Sequence, residues 1–218
     1  MSAIEIGKLL RSSTNGCVIG CRVSELNAPS LGALVRAPLD EKETVQAVGL
    51  IYDIHIDDDG LVRQLITARE VSQEVILDNR MNRNVPVEIS VLFVGHLLGG
   101  DVYHLLPPRP PLTLDAIYLC TDEELRQFTS SGRFGYFRHI LRASDLPTGE
   151  LLAAHIRQVA AAQSAAGNAG WLSAAVQELI VLLRDDYPAL MSVLGALGDT
   201  GLQFDIIHQA GLGRGGQS

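Results

Sequence analysis

An antiparallel β-barrel, closed or partly open, leading into a C-terminal helical domain is the α+β architecture expected of these 218 residues. Three observations point to it. Up to about Leu119 the apolar residues come in short runs separated by turn residues, as successive strands require. Leu106-Pro107-Pro108-Arg109-Pro110-Pro111 then gathers four of the nine prolines, and such a run neither donates ladder hydrogen bonds nor continues a helix. From Thr121 onward the apolar residues recur at helical spacing. The expected divisions are a barrel over 1–120, a helical linking segment over 121–147, and a helical domain over 148–218 that ends in a disordered Gly-rich tail.

Taken in order, Gly16 to Val23 reads as a strand whose alternation puts Cys17 and Cys21 on one face. Ile51-Tyr52-Asp53-Ile54-His55-Ile56 ends in alternation, Asp57-Asp58-Asp59-Gly60 reads as a turn, and Leu61 to Ile66 as the returning strand of a hairpin. Val85 to Val94 is a further strand, which Gly99-Gly100 turns toward Val102-Tyr103-His104-Leu105. The proline run is expected to be a stiff connector or a strap across the barrel end. Thr121-Asp122-Glu123-Glu124 has capping-box spacing and predicts a helix start. Leu152, Ile156 and Val159 predict one helix, and Leu172, Val176, Leu179, Ile180 and Leu183 a second, with Gly167 to Gly170 between them and Tyr187-Pro188 as the terminator. A third, through Leu190, Leu194 and Leu197, is expected to stop at Gly198.

Composition excludes several functions. With 17 basic against 25 acidic residues the formal net charge is −8, which opposes general attraction to phosphate backbones. Lys8 and Lys42 are the two lysines, so a Schiff base or a phosphate-gripping lysine has almost nowhere to sit. Nothing in Met1 to Leu10 reads as a secretory leader, and the most apolar stretches, Val85 to Leu98 and Leu172 to Leu183, fall short of the roughly 20 residues that cross a bilayer. Three cysteines, Cys17, Cys21 and Cys120, form no disulfide framework and suit a reducing compartment. A cytoplasmic protein is expected.

The strands carry a likeness. Ile19-Gly20-Cys21-Arg22-Val23-Ser24, Leu31-Gly32-Ala33-Leu34-Val35 and Gln46-Ala47-Val48-Gly49-Leu50-Ile51-Tyr52 read as the opening strands of a small barrel. Val87-Glu88-Ile89-Ser90-Val91-Leu92, the proline run and Ile117 to Leu125 follow as closing strand, strap and first helix. Over roughly its first 125 residues the chain thereby resembles the HAS-barrel, the front domain of HerA-type hexameric DNA translocases and, more distantly, of rotary ATP synthase α and β subunits. In those enzymes a P-loop ATPase core follows, with G-x-x-x-x-G-K-[ST] around the phosphates. Here the only Gly-Lys pair is Gly7-Lys8, followed by Leu9, and Gly211 to Gly216 shares only glycines with a phosphate loop. The resemblance implies a barrel without its motor, serving assembly or docking.

Other candidate chemistry is weak. Asp57-Asp58-Asp59-Gly60 lacks the further ligands of a cation loop. The histidines, at 55, 96, 104, 139, 155 and 208, show no metal-ligand spacing. Ala28-Pro29-Ser30-Leu31-Gly32 imitates a nucleophile elbow but precedes an expected strand. No catalytic, cofactor or metal residue is assigned. The sharpest feature is Arg126 to Arg142, where Arg126, Arg133, Arg138 and Arg142 alternate with Phe128, Phe134, Tyr136 and Phe137 and no acidic residue intervenes. These eight residues are the candidate interaction patch. They either pair phosphates and stack bases, or seat the rings between barrel and helices while the arginines cap helix ends or meet the protein's own carboxylates. The expected function is a non-enzymatic assembly or docking module for a protein partner, an ATPase complex among the options. The alternative is an accessory nucleic-acid-binding protein beside a translocase or nuclease, which the charge disfavours. Self-association into a homo-oligomer is a further option.

Overall fold

The computed structural model describes residues 4–22, 29–56, 72–74 and 86–202. Its strands are β1 (Ile4–Ser12), β2 (Gly16–Arg22), β3 (Leu34–Pro38), β4 (Val45–Ile56), β5 (Pro86–Leu98), β6 (Asp101–Tyr103) and β7 (Ala116–Leu119). Every pairing is antiparallel, in the order β2-β1-β7-β3-β4-β5, and β2 pairs β5 to close the ring. The result is a closed six-stranded barrel, with β6 added as a short hairpin arm on β5. Closure removes the free strand edges that would otherwise template aggregation.

The side chains that fill the barrel come from alternate positions: Leu9, Ile19, Val35, Ala47, Ile51, Ile89, Val91, Phe93 and Ile117 form one cluster. Cys17 belongs to it and Cys21 packs against it, as their shared face predicts. Burial pushes the Cys17 thiol up to about 12, leaving it a small inert hydrophobe at neutral pH. The outward residues of the same strands, Leu34, Val48, Leu50 and Val94, belong to a second cluster shared with the helices. Covered on both faces, these strands read as the unbroken apolar runs Val48 to Ile51 and Val91 to Val94 instead of a polar alternation.

The helices are α1 (Asp122–Ser130), α2 (Phe137–Arg142), α3 (Thr148–Ala165), α4 (Trp171–Leu182) and α5 (Tyr187–Asp199). Thr121 and Glu124 make the expected capping box at the start of α1. No helix among the described residues is long and apolar enough to cross a membrane. Tyr187-Pro188 opens α5 instead of merely ending α4: proline is tolerated in a first turn, and the Asp186 carboxylate accepts the Ala189 amide at 3.1 Å as the cap. Leu31 and Gly32 lie in a turn before β3, so that strand starts later than its sequence suggests. The first strand, β1, was not signalled, because a register shift between Glu5 and Gly7 interrupts its alternation. The predicted turn at 57–60, the strand at 61–66 and the tail lie outside the described residues.

Antiparallel closure brings the ends at Ser12, Gly16, Pro38, Val45, Leu98 and Ala116 to one end of the barrel. The proline segment between β6 and β7 runs across that end. His96 donates from Nδ1 to the Leu105 carbonyl at 3.0 Å, Arg109 donates to the Leu39 carbonyl, and Ser12 donates to the Pro111 carbonyl at 2.7 Å. The segment is therefore a strap, anchored by side-chain donors, its own Arg109 among them, because its prolines supply no backbone donor.

Gly32 is the tightest backbone approach between barrel and helices. Its φ is +79°, and a Cβ there would stand 2.5 Å from the His155 amide nitrogen of α3. Gly32→Ala is expected to cost on the order of 3 kcal/mol in urea unfolding. Gly195→Ala, in the open interior of α5, is expected to gain roughly 0.5–1 kcal/mol.

Candidate interaction site

The linking segment divides its residues cleanly. Phe128, Tyr136 and Phe137 are fully buried in the cluster that joins barrel and helices. Phe128 lies 5.5 Å from Tyr136 between ring centroids, and Tyr136 lies 4.7 Å from Phe137. Phe134, half-buried, stacks on Phe137 at 5.5 Å and meets Trp171 of α4 edge-on at 5.5 Å. Such tilted and edge-on contacts suit the ring quadrupoles and add to their burial. Three of the four rings of the patch are thus closed to solvent, and the fourth, Phe134, packs on both Phe137 and Trp171.

The arginines have separate fates. Arg138, half-buried, donates to the His104 backbone carbonyl. Arg133 and Arg142 are exposed and Arg126 is half-buried, and none of these three makes an ion pair among the described residues. Arg133 sits at the middle of three consecutive left-handed residues, with φ of 57° at Gly132, 47° at Arg133 and 57° at Phe134. Left-handed backbone costs an L-residue about 1–2 kcal/mol, and the buried stacking of Phe134 holds the turn there. Gly132 is required as its first residue, since a Cβ would lie 2.8 Å from the His104 ring.

Two buried histidines, which no spacing motif flagged, organise this region. His104 follows β6; its Nε2 donates to the Phe128 carbonyl at 3.0 Å, and its own carbonyl accepts from Arg138 and from the His139 Nε2 at 3.1 Å. Burial first, then the Arg138 charge, hold His104 and His139 below the usual imidazole range. His155 of α3 is completely buried. Its Nδ1 faces the Gly32 carbonyl at 2.9 Å, and a carbonyl only accepts, so Nδ1 carries the proton. Nε2 is thereby an acceptor, and the Tyr136 hydroxyl donates to it at 3.2 Å. One helical turn along, Gln158 donates to the Leu31 carbonyl at 2.8 Å, so α3 grips the turn before β3 twice from one face.

Charge is used structurally elsewhere as well. Arg36 of β3 donates to Glu43 and Gln46 at 3.2 Å, stands 4.9 Å over the Tyr118 ring and pairs with Glu124 of the capping box at 2.9 Å. The Glu124 contact is an ion pair without hydrogen-bond alignment. A groove of about 370 Å³ lies between the β1–β2 turn and the outer face of β4 and β5, lined by Arg11, Ser12, Ser13, Asn15, Tyr52 and Leu92. Arg11 is already paired with Glu88 across it at 3.2 Å, and Ser12 is spent on the strap. Among the described residues no three His, Cys, Asp or Glu side chains converge in a metal-binding set.

Burial holds His155 at about 4, while an unfolded imidazole takes up its proton near 6.5. The unfolded chain therefore binds more protons between those values. Stability is expected to fall as the pH drops through that window, by about 3 kcal/mol at its lower end. His104 and His139 act in the same direction. The measurement is urea unfolding from pH 7.5 to 4 in parallel with His155→Gln, which cannot titrate and is expected to show a shallower slope.

No protein-family model and no curated protein matches this chain.

Proposed function

We propose that the protein is a non-enzymatic docking module that binds a protein partner through the strapped end of its barrel. One observation carries this reading. Leu105, Leu106, Leu112 and Leu114 of the strap are exposed, Leu112 and Leu114 by 72% and 76%. Single surface leucines are ordinary, but four on one anchored segment form an apolar surface that a partner would cover. Prolines fix φ at four positions of the strap and so reduce the entropy lost on binding. The likeness to the HAS-barrel fits the same reading and makes a P-loop ATPase complex a natural candidate partner. The accessory nucleic-acid reading finds less support, because Phe128, Tyr136 and Phe137 are buried and Arg138 is engaged with the backbone.

Affinity capture from nuclease-treated native lysate, followed by mass spectrometry, tests this proposal. A specific protein partner is expected to survive the nuclease and to be lost with the Leu112→Ser, Leu114→Ser double variant. Both positions are exposed, so thermal stability should move by less than about 1 kcal/mol. Retention that needs nucleic acid, or that ignores both leucines, would overturn the reading.

A further inference from the structure

The beginning of the strap has a specific electrostatic neighbour. His104 immediately precedes Leu105, and its carbonyl is the point at which Arg138 and His139 of α2 converge. Arg142 lies one turn beyond Arg138 on the same helix, is exposed, and is near enough for its charge to act on His139. Leu105 and Leu106, 57% and 38% exposed, thus follow directly on the point where α2, which carries the exposed Arg142, is tied to the chain. The segment is anchored at this point: His96 holds the Leu105 carbonyl, and Pro107 and Pro108 stiffen the backbone that follows. No acidic residue occurs from Arg126 to Arg142, and Arg142 has no ion-pair partner among the described residues.

We propose that the surface where the strap meets α2, formed by Leu105 and Leu106 beside the exposed Arg142, with Arg138 and His139 holding strap and helix together, docks an acidic amphipathic segment of a protein partner. The proposal rests on the docking reading above and adds the partner's chemistry. Leucines ask for apolar side chains, and the Arg142 guanidinium asks for a carboxylate, which it can bind in bidentate geometry. A nucleic-acid strand satisfies only the second requirement, since Phe128, Tyr136 and Phe137 are buried and Phe134 is packed between Phe137 and Trp171.

The test is fluorescence anisotropy at low salt with the full chain and three labelled probes: a short amphipathic leucine–glutamate peptide, its leucine–lysine counterpart and an oligodeoxythymidine. The leucine–glutamate peptide is expected to bind best, and Arg142→Glu and Leu105→Ser are each expected to weaken it about tenfold or more. Arg142→Gln should fall between wild type and Arg142→Glu. Arg184→Glu, which changes an exposed arginine of the α4–α5 turn beside Asp185, should have no effect. Melting temperatures establish that each variant is folded. Equal binding of the two peptides, with a loss on Leu105→Ser alone, would overturn the acidic partner and leave the docking reading standing. Tighter binding of the oligonucleotide, abolished by Arg142→Glu, would overturn both in favour of nucleic acid. Failure of every probe to bind would overturn the proposal, and the lysate capture would then decide the docking reading separately.

Discussion

One neutral imidazole joins the two halves of this protein. His155 reaches from the middle of α3 to the Gly32 carbonyl in the turn before β3, and takes the Tyr136 hydroxyl proton on its other nitrogen. All three groups are away from water, so each would be costly if left unpaired, and together they satisfy one another. The bond also fixes distance: Gly32 lets the α3 backbone approach to where any side chain would collide. The aromatic cluster of Phe128, Tyr136, Phe137 and Trp171 then fills the space this approach defines.

That constraint explains why the linking segment looks like a binding motif and is built as a seam. Its rings are consumed in packing, and its chain turns through three left-handed residues to bring Phe134 back onto Phe137. The arginines are what remains outside. Arg138 stitches α2 to the carbonyl of His104, while Arg133 and Arg142 are left as exposed charge. Packing and charge are thus separated by side-chain type within one segment, because guanidinium groups tolerate water and rings do not.

The barrel leaves a different kind of surface. Closure uses up its strand edges, so a partner cannot add a strand to the ring itself. The strap supplies what the ring lacks: an irregular, anchored segment whose carbonyls receive Ser12 and His96, whose Arg109 donates to the Leu39 carbonyl, and whose leucines face outward. Binding residues carried on a segment that a rigid scaffold positions are a common division of labour.

Local pattern alone determined much of the architecture. Strands ending near Leu119, the proline segment, the Thr121 capping box and the helical stripes through Leu152, Val176 and Leu194 were legible because alternation, ring closure at nitrogen and 3.6-residue spacing act over a few residues. The register shift in β1 hid that strand, and Pro188 reads identically whether it ends one helix or begins the next. Barrel closure between β2 and β5, and the roles of Gly32, His104 and His155, were settled only in three dimensions. His155 and Gly32 are 123 residues apart, and no local rule relates a histidine to a distant carbonyl. The patch from Arg126 to Arg142 shows the same boundary from within one segment. Its composition was plain in the sequence, but which of its side chains face water depends on what the barrel and α4 place against them.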